Sequence, residues 1–233
     1  MLNLNKQNLD QHPEDSIQIV RKNDWLIVEF PRPVQTLSWA VTGGGKTLAQ
    51  RVVWRQVRHN ELNCPMDPAD YLAGKLKEEN LDNAVGLLTS AKLDEYVYVR
   101  KDFGLYWANC VATVGMGNAL RVADFPTASN HVGTINVLCQ VSVPLSEGAF
   151  LEAVSIAAEA RTLAVRESEI LSFRTQKPAT GTGTDCIVIA APDVPDERKY
   201  AGKHTVIGYL IGSSVLEAVR LGIERWTAQS LVI

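Results

Sequence analysis

The stretch 179–193 reads ATGTGTDCIVIAAPD, with three threonines alternating with two glycines ahead of an aspartate. The hydroxyls of Thr180, Thr182 and Thr184 are small donors and acceptors at every second position. Gly181 and Gly183 have no Cβ, so a ligand or another backbone can come close. Asp185 stands where this polar loop enters the β-branched run 187–191. A carboxylate at a strand mouth is hard to explain by packing, so the stretch reads as a functional loop. The plainer alternative is a Gly/Thr-rich turn leading into a strand.

Three other places carry residue types able to do chemistry. His204 lies at the start of the last predicted helix, where a neutral imidazole is a candidate general base that Asp185 could orient. Its plainer role is a surface or capping histidine. The stretch 42–47, TGGGKT, imitates a relaxed phosphate loop through the spacing Ala40-x4-Gly45-Lys46-Thr47, but the first glycine of that motif is replaced by Ala40, which sits inside a strand pattern. Asp124, His131, Asp185 and His204 could meet around a metal, yet no pair has helical ligand spacing, so no metal is expected.

The elements that must position these residues are legible from periodicity. Residues 17–20 and 25–30 are short β-type runs joined by Arg21-Lys22-Asn23-Asp24, a hairpin, with Pro31 and Pro33 stopping the second strand. The run 37–41 empties into the glycines at 43–45, and 48–57 fits either a helix face or a strand. A helix is predicted over 67–80, with Asp67 as N-cap and Pro68 in its first position. Strands follow at 96–100, 105–114 and 134–143; an alanine-rich helix runs from Ser146 to about 167 and a last helix from 206 to 226. Many strands, few helices and an early hairpin imply an α+β fold: a mixed, largely antiparallel sheet layered with helices, with an αββα-type sandwich as one arrangement. Residues 1–15 are expected to be a disordered tail and 16–233 a single domain.

With 233 residues, 46% apolar and 21% charged, the chain has the composition of a soluble globular protein. A formal charge of −3 gives no basic footprint for nucleic acid. Cys64, Cys110, Cys139 and Cys186 contain no CxxC and lie mostly in apolar runs, so they read as reduced thiols of a cytoplasmic protein. The polar N-terminus lacks a secretory h-region, and no apolar run is expected to span a bilayer.

TGTGTD at 180–185 and YAGKHT at 200–205 also carry a resemblance. Together with SWAVTGGG at 38–45, VGLLTSA at 85–91, ATVGMGN at 112–118, GTINV at 133–137, VPLSEGA at 143–149 and EAR at 159–161, they make the chain similar to the adenosylcobinamide amidohydrolase family over most of its length. Lys46 and Trp54 depart from the family's pattern. The resemblance implies hydrolysis of the aminopropanol amide of adenosylcobinamide, giving adenosylcobyric acid. It implies no cofactor, because the corrinoid cobalt arrives with the substrate. The implied partner is this small molecule, with no nucleic acid and no membrane, and a homo-oligomer is open. On this reading Asp185, His204 and Thr134 are the catalytic candidates. Gly43, Gly44, Asn118, Thr180, Thr182, Thr184 and Lys203 would contact substrate, Gly43 and Gly44 through backbone N–H groups. Thr134 enters through a weaker resemblance to the nucleophile position of self-processing aminopeptidases and ornithine acetyltransferases. Here the junction 133–134 is expected to stay uncut, and a β-branched strand residue is the plainer role. The alternatives are a non-catalytic corrinoid-binding protein and a nucleotide-binding kinase built on 42–47.

Overall fold

A computed structural model describes residues 17–58, 61, 67–126 and 132–230. Its strands are β1 (Gln18–Lys22), β2 (Trp25–Ser38), β3 (Gly45–Gln56), β4 (Ala84–Thr89), β5 (Val97–Phe103), β6 (Tyr106–Val114), β7 (Ala119–Leu120), β8 (Ile135–Val141), β9 (Gly181–Thr182) and β10 (Cys186–Pro192). The helices are α1 (Pro68–Glu78), α2 (Glu147–Glu167) and α3 (Val206–Ser230). Eight strands form one mixed sheet in the order β4-β3-β2-β10-β8-β6-β5, with β1 added to β2, while β7 and β9 form a separate short ribbon. Within the large sheet only β3–β4 and β8–β10 run parallel.

The sheet folds over itself, and the pleat shows how. Alternate residues of β2, β3 and β4 (Leu26, Val28, Phe30, Val52, Trp54, Val85 and Leu87) share one apolar cluster with Val111 of β6, Leu138 of β8 and Val188 of β10. The opposite faces of β6, β8 and β10 pack on the alanine-rich side of α2 and on α3. Trp25, Val53 and Ala84 face outward onto Leu72 and Leu76 of α1. The layers are therefore helix, strand, strand, helix: an α+β fold in the αββα arrangement, made from one hydrogen-bonded sheet.

Caps appear where the residue types put them. Asp67 accepts from the Ala69 N–H at the start of α1, and Ser146 accepts from the Ala149 N–H at the start of α2. Pro31 and Pro33 do not end the second strand as expected. β2 continues to Ser38, and the prolines fall in a bulge where its register against β3 shifts between Glu29 and Val34. The ambiguous run 48–57 is strand as far as Gln56, in β3, where Val52, Val53 and Trp54 are buried on both faces. Val206–Gln229 has the length and mean hydropathy, 1.5, of a membrane span, which the sequence reading did not anticipate. In the fold it is a core helix that packs on β5, β6 and α2.

Candidate active site

β8 and β10 are parallel neighbours, with Cys186 beside Asn136, so the loops entering both strands lie side by side. GTIN and TGTGTD, fifty residues apart in sequence, interlock there. The Thr134 hydroxyl donates to the Thr184 carbonyl oxygen at 2.9 Å, and the Thr184 hydroxyl returns a bond to the Gly133 carbonyl oxygen at 3.2 Å. The Asn136 amide donates to the Leu88 carbonyl oxygen at 2.8 Å, which brings in VGLLTSA from β4. Asn118, on the turn leaving β6, lies over Gly133; a Cβ on that glycine would stand 2.5 Å from Asn118 Oδ1, so only glycine fits. That Oδ1 is buried without a hydrogen-bond donor.

Asp185 is the hub. Its Oδ1 accepts from the Ile135 N–H at 3.0 Å and from the Thr182 hydroxyl at 2.5 Å. Its Oδ2 accepts from the Thr182 N–H at 3.0 Å and meets Arg161 Nη1 at 3.4 Å. A carboxylate has about four lone-pair sites. Three hydrogen bonds and the ion pair with Arg161 engage both oxygens, on a side chain only 6% exposed. Asp185 therefore binds its own loop to the start of β8 and to α2, and makes no hydrogen bond to His204.

In front of this hub is a cleft of about 350 Å³, where Leu120, Arg121, Val122 and Arg161 face Thr180, Thr182 and Asp185. Its walls are held by the pairing of β7 with β9 and by Thr180, whose hydroxyl accepts from the Val122 N–H at 2.8 Å. Two guanidinium groups beside small hydroxyls suit a polar, carbonyl-rich ligand. Cys186 adjoins Asp185, but burial pushes its thiol up to about 12, so no thiolate is offered. Cys110 and Cys139 are buried, free and likewise raised by burial.

The other expected residues lie elsewhere. Gly43 and Gly44 sit in the β2–β3 loop against β4 and do not line the cleft. Lys203 pairs with Glu159 of α2, and His204 is exposed without a hydrogen bond to Asp185 or Thr134. The Ala201 N–H beside them bonds Glu152 at 2.7 Å. That contact lies about 13 Å along α2 from Arg161 at 1.5 Å per residue. Gly45 and Lys46 open the strand β3, so no helix N-terminus follows the glycines and the phosphate-loop arrangement is not formed. Asp124 is bound by Ser172 and Thr175 rather than by ligating side chains. His131 and Cys64 lie outside the described residues, and among the described residues no three metal-ligating side chains cluster.

Sequence reasoning left three contributors without a role. Arg161 was visible only as the end of EAR, Asn136 only as part of GTINV. Trp39, in SWAVTGGG, donates its indole N–H to the Asp185 carbonyl oxygen at 2.7 Å. All three belong to the quoted segments, but only the fold shows that they meet.

The family model for adenosylcobinamide amidohydrolase matches residues 8–231. The chain belongs to that family. An adenosylcobinamide amidohydrolase of Methanosarcina mazei is 27% identical over 191 residues, covering 78% of this chain and 86% of that protein. An uncharacterized protein of Methanocaldococcus jannaschii is 24% identical over 242 residues, covering 87% and 94%. Among solved structures, the L-aminopeptidase D-Ala-esterase/amidase of Ochrobactrum anthropi matches at a TM-score of 0.41 and 12% identity, over 89% of this chain and 82% of that one.

Proposed function

We propose that this amidohydrolase-family protein cleaves the amide joining the aminopropanol arm to the corrinoid ring of adenosylcobinamide, releasing adenosylcobyric acid and aminopropanol. One observation carries the reading from family to site. The family's segments from β6, β8 and β10 and Arg161 of α2 meet at one small polar cleft, which Asp185 and Arg161 line. Thr134, 4% exposed, is bonded to the Thr184 carbonyl oxygen behind it. A cleft of this size takes the arm and its amide, not the macrocycle. The guanidinium of Arg161 and the Thr/Gly loop are placed to bind the amide oxygen, whose negative charge grows as the carbonyl is attacked. Thr134 supplies the nucleophilic oxygen once its hydroxyl leaves the Thr184 carbonyl oxygen. An ester forms as the C–N bond breaks, the hydroxyl proton passes to the leaving amine, and water then hydrolyses the ester to the acid. Asp185 acts by positioning, since both of its oxygens are engaged by the elements it holds. His204 has no bond to this cluster, and the proposal assigns it no step.

The test incubates the purified protein with adenosylcobinamide in ¹⁸O-water and measures free aminopropanol and the mass of the corrinoid product. Equimolar amine and a corrinoid acid carrying one heavy oxygen are expected. Binding without release of amine would leave a corrinoid-binding protein and overturn the hydrolase reading. Thr134→Ser should keep measurable turnover, whereas Thr134→Val, matched in shape but lacking the oxygen, should lose at least about 100-fold. Equal turnover in the two variants would return Thr134 to a strand residue.

A further inference from the structure

Trp39 is 49% exposed, yet its indole edge is tied down. Its indole N–H is fixed by the 2.7 Å bond to the Asp185 carbonyl oxygen. The loop carrying it is fixed as well. The Ala40 N–H bonds Ser38 Oγ, and Thr42 exchanges two backbone bonds with Gly86 of β4. Gly44 lies so close beneath that a Cβ there would stand 2.7 Å from the Ala40 carbonyl oxygen. A large aromatic face left in water and locked in place, its polar edge already satisfied, has its ordering cost met before any ligand arrives. Val122, which lines the cleft, and Phe125 of the same loop are 74% and 80% exposed. Exposed apolar surface therefore adjoins the residues of the polar slot: Val122 lines it, and Trp39 bonds the main chain of Asp185.

We infer that Trp39 is the stacking platform for the broad, flat macrocycle of the substrate, which lies across the mouth while its amide arm enters the cleft beside Asp185. The inference rests on the corrinoid reading above and adds to it the residue that binds the ring. The slot is too small for the ring, and Val122 and Trp39 leave apolar surface exposed next to its lining residues. The same side chain links recognition to the site, because the bond that fixes the indole ends on the main chain of Asp185.

Binding of dicyanocobinamide, measured by equilibrium dialysis on the full chain, tests this apart from turnover. Trp39→Ala should weaken binding by about tenfold, the scale of one lost aromatic stack, and the loss in adenosylcobinamide hydrolysis should fall mainly on KM. Trp39→Phe keeps the aromatic face and loses only the N–H, so it should bind within about threefold of the parent. An alanine variant that binds like the parent overturns the platform. A phenylalanine variant as weak as alanine also overturns it, and assigns the effect to the bond with Asp185. A parent that binds dicyanocobinamide but frees no aminopropanol sinks the hydrolase reading alone. A parent that does not bind it sinks both.

Discussion

Asp185 and Asp124 stand beside the same cleft and are built alike, each a carboxylate fed by hydroxyls and backbone N–H groups, but they hold different things. Asp124 accepts from the Ser172 hydroxyl at 2.5 Å, the Arg121 N–H at 2.8 Å and the Thr175 hydroxyl at 3.0 Å. It ties one rim loop to one neighbouring turn, and both carry left-handed residues other than glycine: Ala123 at φ 73° and Gln176 at φ 56°. Bonds of this kind offset local backbone strain. Asp185 accepts from a strand entry, a loop and an arginine of α2, and none of its loop residues 181–185 is left-handed. Local loop geometry is set by the first aspartate. The second sets the relative placement of three elements that meet in one place.

If that contrast is right, Asp185→Asn is the more damaging change. An amide in place of the carboxylate presents N–H groups to donors and leaves Arg161 without its partner. With the side chain 6% exposed, the cost is about 1–3 kcal/mol of stability, or about 2–4 °C of melting temperature per kcal/mol for a chain of this size. Turnover should fall at least about 100-fold, because loop and strand no longer hold their spacing. A variant that melts and turns over like the parent would reduce Asp185 to the rank of Asp124.

Arg161→Ala should act in the same direction and less strongly. It removes the ion pair and leaves the three hydrogen bonds, so about tenfold in kcat/KM and about 1 kcal/mol in stability are expected. The double variant decides whether the pair works as a unit. Stability losses that add within about 0.5 kcal/mol would mean the two residues act independently. A smaller combined loss would show the coupling that the 3.4 Å contact implies.

The layering was legible because it follows from periodicity. Alternation in the strands and the alanine-rich stripe of α2 report which side is covered, and the caps at Asp67 and Ser146 are local signals. The bulge at Pro31 and Pro33 was not, since a proline that ends a strand and one that bends it carry the same local cost; the outcome depends on the neighbouring strand. Asp185 was legible as a carboxylate where a polar loop enters a strand, Thr134 only through a resemblance. Their mutual contact is a fact of the β8–β10 register, which no local pattern encodes. His204 shows the limit from the other side. A histidine at a helix start looks the same in sequence whether it faces a cleft or water, and here it faces water.

Asp124→Asn is the weakest of the changes and the one with a pH signature. The hydrogen bond from Ser172, followed by the bond from the Arg121 N–H, holds the Asp124 carboxyl below its ordinary value. Those bonds favour the ionised form, so the folded state binds a proton there less readily than the unfolded chain does. The resulting stability is fully present above the unfolded value, about 3.9, and is lost as the pH falls through the lower folded value. Asparagine cannot ionise, and its variant has no such dependence at this site. The melting temperatures of parent and variant should therefore differ by a constant amount from pH 7 to about pH 5 and converge below about pH 4. Ser172→Ala, which removes the first cause of the shift, should move that convergence to higher pH while turnover at pH 7 changes by less than about threefold. A gap that stays constant to pH 3 would show that the Asp124 bonds do not depend on its charge. A loss of turnover as large as that of Asp185→Asn would show that the rim loop, like the strand entry, sets the geometry of the cleft.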